Sequence, residues 1–230
     1  MLQLVIGNKN YSSWSMRPWV LLRQFGIAFE EIKLRFDSLT YSPDSAFYRE
    51  LSRYTPAARV PVLVVDGFAV WDTLAIAETV AERHPQEPLW PRDALQRARA
   101  RSLCAEMHAG FGALRSSFPM NIEAALPDIG QRLLGEREDA RRDLARIDAI
   151  WSEQLAASGG PFLFGRFGII DAYFAPVAAR ARTYALPLSA ASRDYVDRLW
   201  ATPGVAAWVA DALAERDYLD FEEPYRKSRE

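Results

Sequence analysis

Residues 59–73 read RVPVLVVDGFAVWDT, and this stretch decides the fold. Two short apolar runs flank Asp66-Gly67. An Asp-Gly pair supplies the positive φ angles of a tight hairpin, so the runs are expected as antiparallel strands. Pro61 stands at the strand entrance, where a residue without an N–H is tolerated. The Val60-Pro61 bond can be trans, as most X-Pro bonds are, or cis. A cis bond would turn the N–H and C=O of Val60 outward to pair with an extended peptide. Thr73 to Arg83 then shows helical spacing and stops at His84-Pro85.

Upstream, LQLVI (2–6) reads as a buried strand and residues 8–15 as a polar turn. Apolar residues fall at helical spacing up to Phe25, with Gly26 as the stop. Pro18 fits best in a first turn, so the regular helix is expected to start near Ser15, capped by Ser13 or Ser15. Ile32, Leu34 and Phe36 alternate with charged residues as a second strand, and a short helix is possible near 44–53. Residues 1–84 therefore read β-α-β-α-β-β-α, an α/β domain. Residues 85–92 (PQEPLWPR) hold three prolines and form a stiff linker. Residues 93–230 are helical in pattern, an all-α domain. Helices are expected near 93–117, 128–157, 169–184, 190–201 and 204–214, before a charged, less ordered tail at 215–230.

Composition narrows the function. Twenty-eight basic and 30 acidic side chains leave a net charge of −2, which gives nucleic acid no reason to bind. The single cysteine, Cys104, excludes an internal disulfide and argues against a cysteine metal site. The start MLQLVIGNKN lacks the features of a secretory signal, and no run approaches the roughly 20 apolar residues of a membrane span. A cytoplasmic protein without a membrane partner is expected.

Two further segments can carry chemistry. Tyr11-Ser12-Ser13-Trp14-Ser15-Met16-Arg17 places hydroxyls and free N–H groups at a helix start, a ready anion site or a simple cap. Asp72-Thr73 joins a carboxylate, a hydroxyl and N–H groups at another helix start. That set can hold an amino-acid head group or serve only as a cap. Cys104 reads as a small buried hydrophobe, His84 as a C-terminal cap, and His108 as structural, since no second ligand stands at metal-like spacing.

In order and spacing these segments resemble the cytosolic glutathione transferases. SSWSMR (12–17) matches the S-x-x-S-x-R arrangement of the serine-type classes, zeta-like and related bacterial ones. Val60-Pro61 matches the family's Val-(cis)Pro step, and Asp72-Thr73 stands where Glu/Gln-Ser is usual. FLFGRFGIIDAYFAP (162–176) is similar to the family's buried capping box, with Asp171 at N3. The chain departs from the pattern at Asp72, one methylene shorter than Glu, at Gly168, where Ser or Thr is usual, and at Trp14, which replaces the zeta-class Cys. The resemblance covers essentially the whole chain.

It implies a thioredoxin-like N-terminal domain, an all-helical C-terminal domain and a homodimer. Glutathione would be the co-substrate, with no metal. Ser12 would activate its thiol, with Ser13 as second choice. Val60 and Pro61 would meet the cysteinyl backbone, Asp72 and Thr73 the γ-glutamyl end, and Arg59 the glycyl carboxylate. Trp14 would help bind glutathione. The electrophile would lie between the two domains, and Trp14, Met107, Phe111 and Tyr173 would form its apolar wall, with Met107 and Phe111 also readable as plain core. The implied activity is transfer of glutathione to a small hydrophobic electrophile. Alternatives are glutathione-dependent peroxide reduction or isomerisation, or a non-catalytic binding protein on the same fold.

Overall fold

LQLVI forms β1 (Leu2–Ile6), with its last three residues buried. β2 (Glu30–Lys33) runs parallel to it, and β3 (Val62–Val65) and β4 (Phe68–Val70) complete a mixed sheet of order β2-β1-β3-β4. The computed structural model describes residues 1–38 and 40–229. Leu39 and Glu230, the latter inside the range read above as a tail, lie outside the described residues. Asp66 and Gly67 make the hairpin turn with φ of 51° and 88°, the left-handed pair that matches strand twist. β2 is shorter than the Ile32–Phe36 alternation suggests, although Leu34 still donates to Ile6 O at 2.9 Å.

α1 (Ser13–Gln24), α2 (Ala46–Leu51) and α3 (Thr73–Arg83) complete a thioredoxin-like domain. α1 starts at Ser13, earlier than expected, and holds Pro18 inside. The first N–H groups of a helix have no intrahelical partner, so Pro18 removes a bond only beyond that first turn. Met16 and Trp19, both fully buried, anchor the helix regardless.

The second domain is all-helical: α4 (Ala94–Ala109), α5 (Gly112–Ser117), α6 (Pro127–Glu136), α7 (Glu138–Ser158), α8 (Ile169–Thr183), α9 (Ala190–Trp200) and α10 (Pro203–Glu215). Two of the expected helices are each split. Phe111 adopts the left-handed conformation (φ 57°) between α4 and α5, and extended Arg137 separates α6 from α7.

α8 is buried on nearly every side, with only Arg182 outside the core, as befits a central helix. α1 packs against α8 and α10, so one hydrophobic core spans both domains. The approach is close: a Cβ on Gly204 would meet Val20 O at 2.7 Å. Asp171 starts α8 without help from Gly168, which has no side chain to give. Its carboxylate accepts from Gly168 N (2.9 Å), Leu163 N (3.3 Å) and the Tyr195 hydroxyl (2.9 Å). Burial pushes its pKa up to about 7 against the pull of these donors.

The tail is not a loose end. Asp217 pairs with Arg35 and accepts from Asn8, Glu223 accepts from Tyr11 and Asn121, and Tyr225 donates to Ser117 O at 2.8 Å. Its charges are used in these internal pairs, which is why composition alone misjudged it.

Candidate active site

A cleft of about 790 Å³ opens between the domains. Ser12, Ser13 and Trp14 line it from the start of α1, Arg59, Val60 and Pro61 from the β3 entrance, and Asp72 and Thr73 from the start of α3. The three segments read from the sequence thus meet in one place. Met107, Phe111 and Tyr173 do not line it; all three are buried in the core.

Ser12 is the N-cap of α1, although its hydroxyl makes no capping bond. It donates instead to Ser15 Oγ at 2.7 Å, and Ser15 Oγ also accepts Gly7 N at 3.2 Å. The hydroxyl is therefore held on the fully buried Ser15 while its own lone pairs stay open. Ser13 is also buried at the cleft, its N–H donating to Tyr11 O at 2.9 Å. Tyr11 also lines the cleft, with its hydroxyl donating to Glu223 at 2.7 Å and Asp217 O at 3.2 Å.

The Val60-Pro61 bond is cis. The register with β1 ends at Val62, so Val60 stands beyond the last strand pair and beside the cleft. Asp72 caps α3 through Leu74 N at 2.9 Å, and His108 Nε2 lies 3.2 Å from its other oxygen. His108 is thus a partner of Asp72 across the domains. Thr73 is buried and accepts from the Tyr173 hydroxyl at 3.0 Å, which ties α3 to α8.

Four residues went unassigned in the sequence reading. Arg17, within the serine motif, is buried between the Trp14 and Tyr173 rings, at 4.1 and 4.7 Å from their centroids. Its Nε and Nη1 have no hydrogen-bond partner among the described residues, and burial lowers its pKa to about 10. Arg115 and Arg180 line the cleft from α5 and α8. Arg180, fully buried, donates to Phe118 O and Pro176 O, and its pKa falls to about 9. Among the described residues no carboxylate forms an ion pair with any of these three arginines. Glu222, from the tail, also lines the cleft. Arg180 left a faint trace in the sequence, a charge inside the apolar run of α8, whereas Glu222 left none.

Residues 11–83 match the family model described as "Glutathione S-transferase, N-terminal domain", and residues 131–211 match "Glutathione S-transferase, C-terminal domain". The chain belongs to the glutathione S-transferase family. Among curated relatives of this transferase-family chain, a probable maleylacetoacetate isomerase of Caenorhabditis elegans is 32% identical over 107 residues, 46% of this chain and 49% of the relative. A maleylacetoacetate isomerase of Dictyostelium discoideum is 31% identical over 40% of this chain and 43% of the relative. The chain thus spans about half the length of these two relatives. The maleylacetoacetate isomerase of Rattus norvegicus is 25% identical over 77% of this chain and 78% of its own. A glutathione transferase homolog from Burkholderia, solved with bound glutathione, superposes with a TM-score of 0.69 at 24% identity, over 93% of this chain and 98% of its own.

Among the described residues of this glutathione S-transferase family member, no group of three His, Cys, Asp or Glu is placed to hold a metal ion. No described helix is long and apolar enough to cross a membrane.

Proposed function

We propose that the chain binds glutathione in this cleft and activates its thiol as thiolate at the start of α1, with Ser12 as the activating hydroxyl. The convergence of Ser12, Val60 and Asp72-Thr73 on one cleft carries this reading. The Val60 backbone would pair with the cysteinyl residue. Asp72 and Thr73 would hold the γ-glutamyl head, and exposed Arg59 the glycyl carboxylate.

The energies fit. A free thiol has a pKa of about 8.5, and lowering it by about two units takes about 2.7 kcal/mol. A hydrogen bond to a charged acceptor supplies roughly 1.5–3 kcal/mol, and a helix N-terminus about 0.3–1 kcal/mol more. In the bound state Ser15 would donate to Ser12, which frees the Ser12 proton for sulfur; a hydroxyl pair can run in either sense.

The bound thiolate would then attack a small electrophile. Isomerisation of an unsaturated, carboxylate-bearing substrate by reversible thiolate addition is favoured over conjugation of a purely hydrophobic one. Arg115 and Arg180 support this, because cations without a carboxylate partner at a cleft wall are satisfied by an anionic substrate group. The curated relatives carry isomerase names as well. In Arg115→Gln, KM for a carboxylate-bearing substrate should rise about 10-fold, while KM for neutral chlorodinitrobenzene stays put, since one charge-assisted bond is worth about 1.5 kcal/mol or more. Equal effects on both substrates would assign Arg115 to the fold instead.

A homodimer is part of the proposal. Phe68 and Trp71 near the hairpin and Leu95 at the start of α4 are large exposed apolar side chains, which suit an interface between copies. Sedimentation equilibrium should give twice the 26.0 kDa chain mass; a species of 26.0 kDa alone would reject the dimer. A cytoplasmic setting, where thiols are kept reduced, fits this chemistry.

A further inference from the structure

The tail beyond α10 is a strap that joins both domains. Asp217 is held by Asn8 and Arg35, and Glu223 by Tyr11, all in the first domain. Tyr225 is held by Ser117 O, and Arg226 pairs with Glu123, both in the second. Between these anchors a single 3-10 turn, Asp220–Glu222, brings Glu222 to the wall of the cleft that Ser12 and Trp14 share. Its half-buried carboxyl makes no hydrogen bond or ion pair with any described residue. The strap thus carries an uncommitted carboxyl into the site and fixes it there from both sides.

We propose that Glu222 is the proton donor to the second substrate when glutathione thiolate adds to an unsaturated carbonyl compound. This rests on the glutathione-thiolate reading above. The step balances. The S–C bond forms at the β-carbon, and the C=C electron pair moves to the α-carbon as an enolate. The Glu222 O–H breaks, its proton goes to the α-carbon, and a carboxylate is left. The proton released when the next glutathione thiol ionises restores the acid.

The surroundings favour the protonated form. Loss of hydration raises the Glu222 pKa to about 7, and the neighbouring Glu223 carboxylate adds to the rise. Arg115 from α5, Arg180 from α8, Arg59 from the β3 entrance, Asp72 from the α3 start and Tyr11 from the β1–α1 loop line the same cleft. None of them pairs with Glu222. A general acid works best with a pKa near the working pH. A neutral carboxyl also avoids repelling an anionic substrate group drawn in by Arg115 and Arg180.

The test compares wild type with Glu222→Gln on two electrophiles. Addition to benzalacetone needs a proton, whereas substitution on chlorodinitrobenzene expels chloride and needs none. Glutamine keeps the size and polarity but has no proton to give. The ratio of benzalacetone to chlorodinitrobenzene turnover should fall about 100-fold. The alkaline fall of the benzalacetone pH profile near neutrality should vanish with it, and Glu222→Asp should restore part of the ratio. An unchanged ratio, or an unchanged pH profile, overturns the assignment even if glutathione turnover is intact. If wild type uses glutathione with neither electrophile and forms no bound thiolate, the parent reading fails and this one falls with it.

Discussion

Asp171→Ala should lower the melting temperature by about 10 °C or more, the largest stability effect expected of a single substitution here. Three buried donors, Gly168 N, Leu163 N and the Tyr195 hydroxyl, converge on this carboxylate. Alanine strands all three, at roughly 1–3 kcal/mol each, against a total stability of about 5–15 kcal/mol. The loss reaches the site, because α8 also carries Tyr173, bonded to Thr73, and Arg180 at the cleft wall. Asp171→Asn keeps one acceptor oxygen and should cost less. It should also change the pH dependence. The folded-state pKa of Asp171 is raised to about 7. Its contribution is therefore fully present below the unfolded value of about 3.9, and is lost as pH rises through the folded value. The asparagine variant should lack that decline. Calorimetry between pH 4 and 8 measures both effects, and a wild-type-like melting temperature for Asp171→Ala would reject the capping account.

Ser12→Ala should lower glutathione-dependent turnover at pH 7 by roughly 10- to 100-fold, because most of the bound thiol returns to its protonated form. The deficit should shrink as pH rises past about 8.5, where the thiol ionises without help. That convergence separates a lost activator from a damaged site, whose deficit would persist at every pH. Ser13→Ala should leave the rate near wild type. A large deficit in Ser13→Ala with none in Ser12→Ala would move the activating role one residue along.

Local chemistry was legible in the sequence, and distant chemistry was not. Asp66-Gly67 between apolar runs can do little but turn, so the hairpin and the sheet around it followed. The cap at Asp171, the third residue of α8, followed from the resemblance of residues 162–176 to the family's capping box. Pro18 misled, because its local preference for a first turn yields to the burial of Met16 and Trp19. Both breaks lie beside glycines, Gly110 and Gly112 around Phe111 and Gly135 two residues before Arg137, a local cue that the long helical spacing of the apolar residues outweighed. The site divides the same way. Ser12, Val60-Pro61 and Asp72-Thr73 each sit at a strand or helix terminus that spacing reveals. Arg115, Arg180 and Glu222 reach the cleft only through helix packing and the strap, and His108 meets Asp72 only across the domains. Pattern told that Met107 and Phe111 face an apolar side, and packing decided that this side is core.

The central claim is that this cleft ionises the thiol of bound glutathione through Ser12. Glutathione titrated into purified protein from pH 5 to 9, followed by thiolate absorbance, tests it most directly. The account predicts a bound thiolate half formed near pH 6.5 in wild type and only near pH 8.5 in Ser12→Ala, a separation of about two units. A wild-type band that rises only near pH 8.5, with glutathione bound, would contradict it.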